Sequence, residues 1–296
     1  MKLTIFTPTY NRLSELPGLY KSIVCALKHI TTEDSIEWLI VDDGSKMDIS
    51  DCIKKFQENA EFEIILIRKE NGGKHTAFNV AIDKARSDIF VCIDDDDRLT
   101  ENALKDIFVI ARQFEGREYG GFVGRVVDPQ GHLLGNTIFS DYIISNTIEI
   151  RDKYHFWGEP EVFFTKILKQ YKFDIFDNER FLTEAYLFDK MSLEYPFVYT
   201  NYPLMIKVYL TDGLTDNQLK IRIKSPIGCE AYYYQRKLLS KDIKSKLKAS
   251  INRRRFARYS SKCPRRKIDA YDIIAIPAAF LMSIKDKKDY PDWNKR

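Results

Sequence analysis

The sequence predicts an α/β fold in which a mainly parallel central sheet carries helices and a basic helical extension follows. Three observations predict it. Four short apolar runs alternate with helical stretches across the first hundred residues, and such alternation calls for parallel strands joined by right-handed crossovers. Each run gives way to a polar or glycine-bearing turn, the most charged being Asp94-Asp95-Asp96-Asp97. Basic residues then crowd toward the end: residues 236–267 hold fourteen Lys/Arg against the single acid Asp242, a net +13, which leaves the remainder at −9.

The elements follow in order. Residues 2–8 read as a strand stopped by Pro8, and Ser14 is placed to cap a helix that runs to about Lys28. Residues 37–41 form a second strand ending in Asp42-Asp43-Gly44-Ser45, and residues 49–57 a helix. Residues 63–67 give a third strand, Asn71-Gly72-Gly73-Lys74 a turn, and residues 75–84 a helix with Ala77, Phe78 and Ala81 on one side. The fourth strand, Phe90-Val91-Cys92-Ile93, leads into the four carboxylates, and Arg98-Leu99-Thr100-Glu101-Asn102 leads on into a helical pattern. Cys92 belongs to the core and His75 to a helix start.

Open α/β sheets bind ligands beyond the carboxyl ends of their strands. That rule gathers Pro8, Thr9 and Tyr10, Asp42 and Asp43, Gly72-Gly73-Lys74, and Asp94 to Asp97 along one rim. Four adjacent anions repel one another and need a compensating cation. Hard oxygen donors at this density suit Mg²⁺ or Mn²⁺, which also carry phosphates. An acidic loop or a helix cap is the plainer reading of the same stretch. Tyr10 can stack on a base or pack in its loop, Asp42 or Asp43 can read a base or cap the next element, and Lys74 can meet a phosphate or water. Together the rim offers what a nucleoside diphosphate needs.

In order, Pro8-Thr9-Tyr10-Asn11-Arg12, Asp42-Asp43-Gly44-Ser45, Asn71-Gly72-Gly73 with Asn79, and Asp94-Asp95-Asp96-Asp97 resemble the motifs of glycosyltransferase family 2, inverting enzymes of the GT-A fold. The resemblance covers the first hundred residues. It implies a Rossmann-like nucleotide-binding half with Mg²⁺ or Mn²⁺ held by Asp94 with Asp96 or Asp97. It also implies a nucleotide-sugar donor, UDP being the commonest, seated by Pro8, Thr9, Tyr10, Arg12, Asp42, Asp43, Gly73, Lys74, Asn79, Asp95 and Asp96. The implied acceptor is a glycan or glycolipid hydroxyl in bacterial polysaccharide assembly. In this family a carboxylate near a helix start, in a Glu-Asp or Thr-Glu pair, acts as general base. Thr183-Glu184 matches, so Glu184 is the expected base and Glu179 the runner-up; the plainer role for Glu184 is a helix-start charge.

The division expected is residues 1–235 for the transferase domain, with 1–100 binding the donor and 101–235 the acceptor, and 236–296 for the extension. In the second part residues 120–129 read as a strand turning at Gln130-Gly131, residues 132–157 carry strand-like fragments, and residues 161–171 read as a helix. Trp157 faces an acceptor or the core. Residues 209–217, with the Asp212-Gly213 turn, resemble a loop of a bacterial subset of the family. Residues 240–249 have helical rhythm, and the apolar residues 273–282 are too few to span a bilayer, with Pro277 expected to break their helix. A basic segment beside a short apolar one suits an anionic membrane surface, so residues 236–282 are expected to dock there; solvated helices are the alternative.

Composition bounds the classes. At 44% hydrophobic and 30% charged the chain is that of a soluble globular protein, with no signal-peptide pattern. Its five scattered cysteines include no CxxC pair, so neither a zinc site nor a disulfide framework is expected. A cytoplasmic enzyme, peripheral on the inner face of the bacterial membrane, fits. Two rival functions remain. A nucleotidyltransferase would carry a Gly- and Arg-rich phosphate loop near the N-terminus, which residues 7–12 are not. A nucleic-acid binder would use the basic segment but leave the rim motifs unexplained, so no nucleic-acid partner is expected.

Overall fold

A computed structural model describes residues 1–138, 140–156, 158–208 and 218–291. Trp157 and residues 209–217 therefore lie outside the described residues. The chain packs as two compact units. The first comprises residues 1–172 and 190–210, the second residues 173–189 and 211–296. The segment holding Glu179 and Glu184 thus belongs with the C-terminal helices, and the chain does not divide near residue 235, which lies inside a helix.

The first unit is built on one mixed sheet. Its strands are β1 (Lys2–Thr9), β2 (Ser35–Asp42), β3 (Glu63–Arg68), β4 (Ile89–Cys92), β5 (Arg98–Leu99), β6 (Gly121–Val127), β7 (Tyr142–Ser145), β8 (Glu161–Phe164) and β9 (Phe197–Ile206). The order is β3-β2-β1-β4-β8-β6-β9-β5, with β7 also paired to β9. The first four strands are parallel throughout, as the strand–helix alternation predicts. Helices α1 (Leu16–Leu27), α2 (Ser50–Gln57), α3 (Lys74–Lys84) and α4 (Ala103–Phe114) connect and flank them. Covered on both faces, β1 and β2 are buried over nearly their whole length, which is why they read as unbroken apolar runs rather than alternating ones. Leu16, Leu19, Ile23 and Ala26 on α1 and Leu104, Ile107, Phe108 and Ala111 on α4 recur at helical spacing and turn into the same core.

Beyond β4 the sheet becomes mixed. Residues 161–171 are not one helix: Glu161–Phe164 is β8, and only α6 (Thr165–Leu168), which follows α5 (Thr147–Lys153), is helical. β8 lies between β4 and β6, antiparallel to both, with Val162 opposite Val91 and Phe122. Two flanking strands with open hydrogen-bonding edges outweigh a local helical preference. Gly121 at φ 157° permits this approach, since a Cβ there would stand 1.9 Å from the Val162 carbonyl oxygen. Arg98-Leu99 also forms a strand before α4 begins, because it pairs with the end of β9. Ser14 does not cap α1, whose first turn holds Pro17 instead and begins after Glu15.

Helix α7 (Ala185–Glu194) links the two units in sequence, and the second continues with α8 (Gln218–Lys224), α9 (Pro226–Leu239), α10 (Ile243–Ala257) and α11 (Ala270–Asp289). Ile223, Cys229, Phe256 and Tyr259 form its apolar centre. Buried charge adds a second layer: Arg253 lies 3.3 Å from Glu230 and 2.7 Å from Asp272, and Lys237 lies 2.8 Å from Asp272. Burial works to raise the Asp272 pKa, but the bonds from Lys237 and Arg253 hold it down at about 2. Pro277 does not break α11. It sits on the exposed side, where the carbonyl it leaves unbonded can be met by water.

Candidate active site

The carboxyl ends of β1, β2 and β4 and the start of α3 meet at one rim of the first unit. Local geometry decides where each acid points. Asp94 and Asp96 are half-buried while Asp95 and Asp97 are buried, the alternation of an extended chain. A turn then intervenes, the Asp97 N–H donating to the Asp94 carbonyl at 3.1 Å. The turn folds Asp97 back, so Asp94, Asp96 and Asp97 can each offer an oxygen within 4.8 Å of the others. Arg98 holds the loop from below, donating to the carbonyls of Asp95 at 3.1 Å and Asp97 at 2.7 Å.

Asp95 turns the other way. It accepts from Thr9 Oγ1 at 2.7 Å and lies 3.4 Å from Arg12, so it ties the acidic loop to the end of β1. Arg12 also pairs with Asp96. Burial pushes the Asp95 carboxyl up to about 7 against the pull of Thr9 and Arg12. Asp97 is likewise pushed up to about 7, by burial first and then by the charges of Asp94 and Asp96. Burial works to raise Asp94, but Lys74, whose ammonium lies 2.7 Å away, together with Lys207 and Arg12 outweighs it and holds Asp94 below the usual carboxylate range.

The aspartate pair at the end of β2 divides its labour. Asp43 commits both oxygens to the glycine turn: Lys69 lies at 2.6 Å, the Gly72 N–H donates at 3.0 Å and the Gly73 N–H at 2.7 Å. Gly73, at φ 92°, is the residue from which α3 starts, and this conformation brings both N–H groups onto the carboxylate. Asp42 accepts from the Ser45 N–H at 2.8 Å with one oxygen; the other accepts no hydrogen bond and lies 3.5 Å from Arg68 Nε. Tyr10 is exposed beside them, Pro8 and Thr9 close β1, and Asn79 is half-buried in the second turn of α3.

Two charged residues complete the rim that sequence reading missed. The β5–β9 register sets Arg98 opposite Ile206, which carries Lys207 to the acidic loop. Lys207 donates to Glu159 at 2.8 Å, and although burial opposes it, Glu159, Asp97 and Asp94 together raise its pKa. No motif marks either residue. Only the pairing of a two-residue strand brings Lys207 there, and the signal that could have found it is a lysine directly after a strand.

In the second unit Glu184 stands immediately before α7, half-buried, its carbonyl accepting from the Leu187 and Phe188 N–H groups. Glu179 is buried and its carboxylate accepts from the Ile227 and Gly228 N–H groups, both at 2.7 Å. It closes the first turn of α9 behind Pro226, where no side chain of the helix itself provides a cap.

The donor set at the rim fits a hard divalent cation: three carboxylates converge, and one of them, Asp97, is crowded by burial and like charge that a cation would relieve. Every candidate from residues 8–12, 42–43, 73–74 and 94–97 falls on this rim of the first unit, while Glu184 falls in the second.

The family model for glycosyl transferase family 2 matches residues 4–179. Among curated proteins, poly(ribitol-phosphate) beta-N-acetylglucosaminyltransferase TarS of Staphylococcus aureus is 26% identical over 106 residues, 36% of this chain and only 18% of that protein's length. The fold superposes on the crystal structure of S. aureus TarS 1-349 in complex with UDP-GlcNAc, with TM-score 0.57 at 14% identity over 97% of this chain and 81% of that one. It also superposes on the mannosyltransferase PcManGT from Pyrobaculum calidifontis in complex with GDP-Man and Mn²⁺, with TM-score 0.53 at 15% identity over 99% and 84% of the two chains.

Proposed function

Since the chain belongs to glycosyl transferase family 2, we propose that it moves one sugar from a nucleoside-diphosphate sugar to an acceptor hydroxyl, inverting the anomeric centre. The observation that carries this is the convergence of Asp94, Asp96 and Asp97 at the end of β4, among Arg12, Lys74 and Lys207. A divalent cation held by these three carboxylates, Mg²⁺ or Mn²⁺, would neutralise charge growing on the departing diphosphate. Lys74 and Lys207 bring further positive charge to the same side. Tyr10 offers a ring to the base, and Pro8 and Thr9 form the floor at the end of β1. Of the aspartate pair, Asp42 is assigned to the base, because Asp43 is engaged by Lys69 and the glycine turn.

Glu184 is assigned as general base: an acceptor hydroxyl must lose its proton as it attacks, and a carboxylate held at a helix start can take it. Attack from the side opposite the nucleotide inverts the centre in one displacement. The curated relative's name, a poly(ribitol-phosphate) N-acetylglucosaminyltransferase, and the TarS structure in complex with UDP-GlcNAc support a UDP-sugar donor of the hexose type and a polymer as acceptor. An acceptor glycan on a membrane lipid and a peripheral place on the inner face of the cell membrane complete the reading. Among the described residues no helix is long and apolar enough to cross a membrane.

The test is a thermal-shift panel of UDP, GDP, CDP and dTDP, each with Mn²⁺ or EDTA, on wild type and Asp96→Ala. One nucleotide should raise the melting temperature only with metal, and Asp96→Ala should weaken Mn²⁺ binding by about 100-fold. No shift with any nucleotide would overturn the reading.

A further inference from the structure

Helix α11 is amphipathic in the reverse of the usual sense. Its inward face is small or charged: Asp272, Ala275, Ala279, Ser283 and Asp286 are buried. Its outward face is apolar, with Ile273, Ile274, Pro277, Phe280, Leu281 and Ile284 recurring at helical spacing and exposed to solvent. Ile274 is 64% and Leu281 66% exposed, so about two thirds of each residue meets water. A contiguous apolar stripe of this kind on a soluble chain marks an interaction surface.

Charge says what covers it. Much of the basic segment is turned inward: Lys237 pairs with Asp269 and Asp272, Arg253 with Glu230 and Asp272, and Arg255 with Asp286. Other cations stay exposed, and a group of them flanks the stripe. Lys262, Arg265 and Lys267 precede α11, Lys285, Lys287 and Lys288 end it, and exposed Arg258, just after α10, lies with its guanidinium 4.8 Å from the Phe280 ring. A second copy of this chain laid on the stripe, parallel or antiparallel, would bring like charges together at both ends. An anionic bilayer instead meets the cations with phosphates and the stripe with acyl chains.

We propose that α11 docks this protein on anionic membrane, lying in the plane of the interface with residues 273–284 inserted at the headgroup–acyl boundary and the flanking Lys and Arg on lipid phosphates. The inference narrows the membrane-facing part of the proposed function to one helix face. It rests on that reading only for the lipid-linked acceptor, so vesicle binding is measured with no donor or acceptor present and donor binding is measured separately.

The full chain is floated with vesicles of equimolar phosphatidylglycerol and phosphatidylcholine, and with phosphatidylcholine alone. Capture should occur on the anionic vesicles, fall as salt is raised, and drop at least about tenfold in Ile274→Glu/Leu281→Glu. Both positions are exposed, so the double variant should keep the wild-type melting temperature and nucleotide binding. As an independent readout that preserves the apolar face, Leu281→Trp should gain fluorescence that brominated phosphatidylglycerol quenches. Absence of capture, equal capture of the double variant, or no quenching would overturn the proposal. So would a concentration-dependent dimer in solution that the double variant abolishes, which would give the face to a second copy.

Discussion

At the scale of single residues, the acids of the rim differ in how fully their oxygens are bonded within the fold. Asp43→Asn loses charge-assisted bonds from Lys69, Gly72 and Gly73 and should destabilise the protein by about 2 kcal/mol in denaturant unfolding. Asp42→Asn, with an oxygen outside any hydrogen bond, should instead act on nucleotide affinity, which titration calorimetry would measure. Asp97 gives a pH signature. Its carboxyl, ordinarily near 3.8, is raised to about 7 by burial and neighbouring anions. The folded state therefore takes up a proton the unfolded state has released, and stability without metal falls as pH rises from about 4 to about 7. Metal binding must release that proton, so Mn²⁺ affinity should rise about tenfold between about pH 6 and 8, and Asp97→Asn should flatten the rise.

At the scale of elements, the two glutamates of the second unit are assigned different roles. Glu179 closes the start of α9 with two backbone bonds, and Glu179→Gln should lower the melting temperature by an amount corresponding to about 1 kcal/mol. Glu184→Gln should leave the melting temperature unchanged and reduce kcat by about 100-fold or more, read as product formed per enzyme. The reverse pattern would exchange their roles. Elements were also where sequence reading erred. Residues 161–164 have the apolar density of a helix face, and nothing local says that β4 and β6 will stand apart by one strand's width. Arg98-Leu99 is too short for any periodicity to declare it a strand, yet its pairing with β9 is what brings Lys207 to the acids.

At the scale of the whole molecule, the charge asymmetry in the sequence is partly internal. The +13 segment reads as a surface, but the helices fold several of its cations onto Glu230, Asp269, Asp272 and Asp286. Arg253→Met removes one partner from two buried carboxylates and should cost about 3 kcal/mol, visible in the transition that unfolds the C-terminal helices. Replacing Lys248, an exposed lysine of α10, should cost almost nothing by comparison.

By itself the sequence determined that the first four strands run parallel and that the motifs gather at their ends. These depend on local patterns: apolar runs long enough for a strand, turn residues directly after them, and the crossover rule that sends every such turn to the same edge. Tertiary structure alone decided which aspartate holds the glycine turn, where β8 inserts, that Lys207 joins the acids, and that the apolar face of α11 is the exposed one. Each of those depends on a partner distant in the chain. Side-chain direction, strand pairing and burial are set by what the chain meets after folding, and no local spacing contains that information.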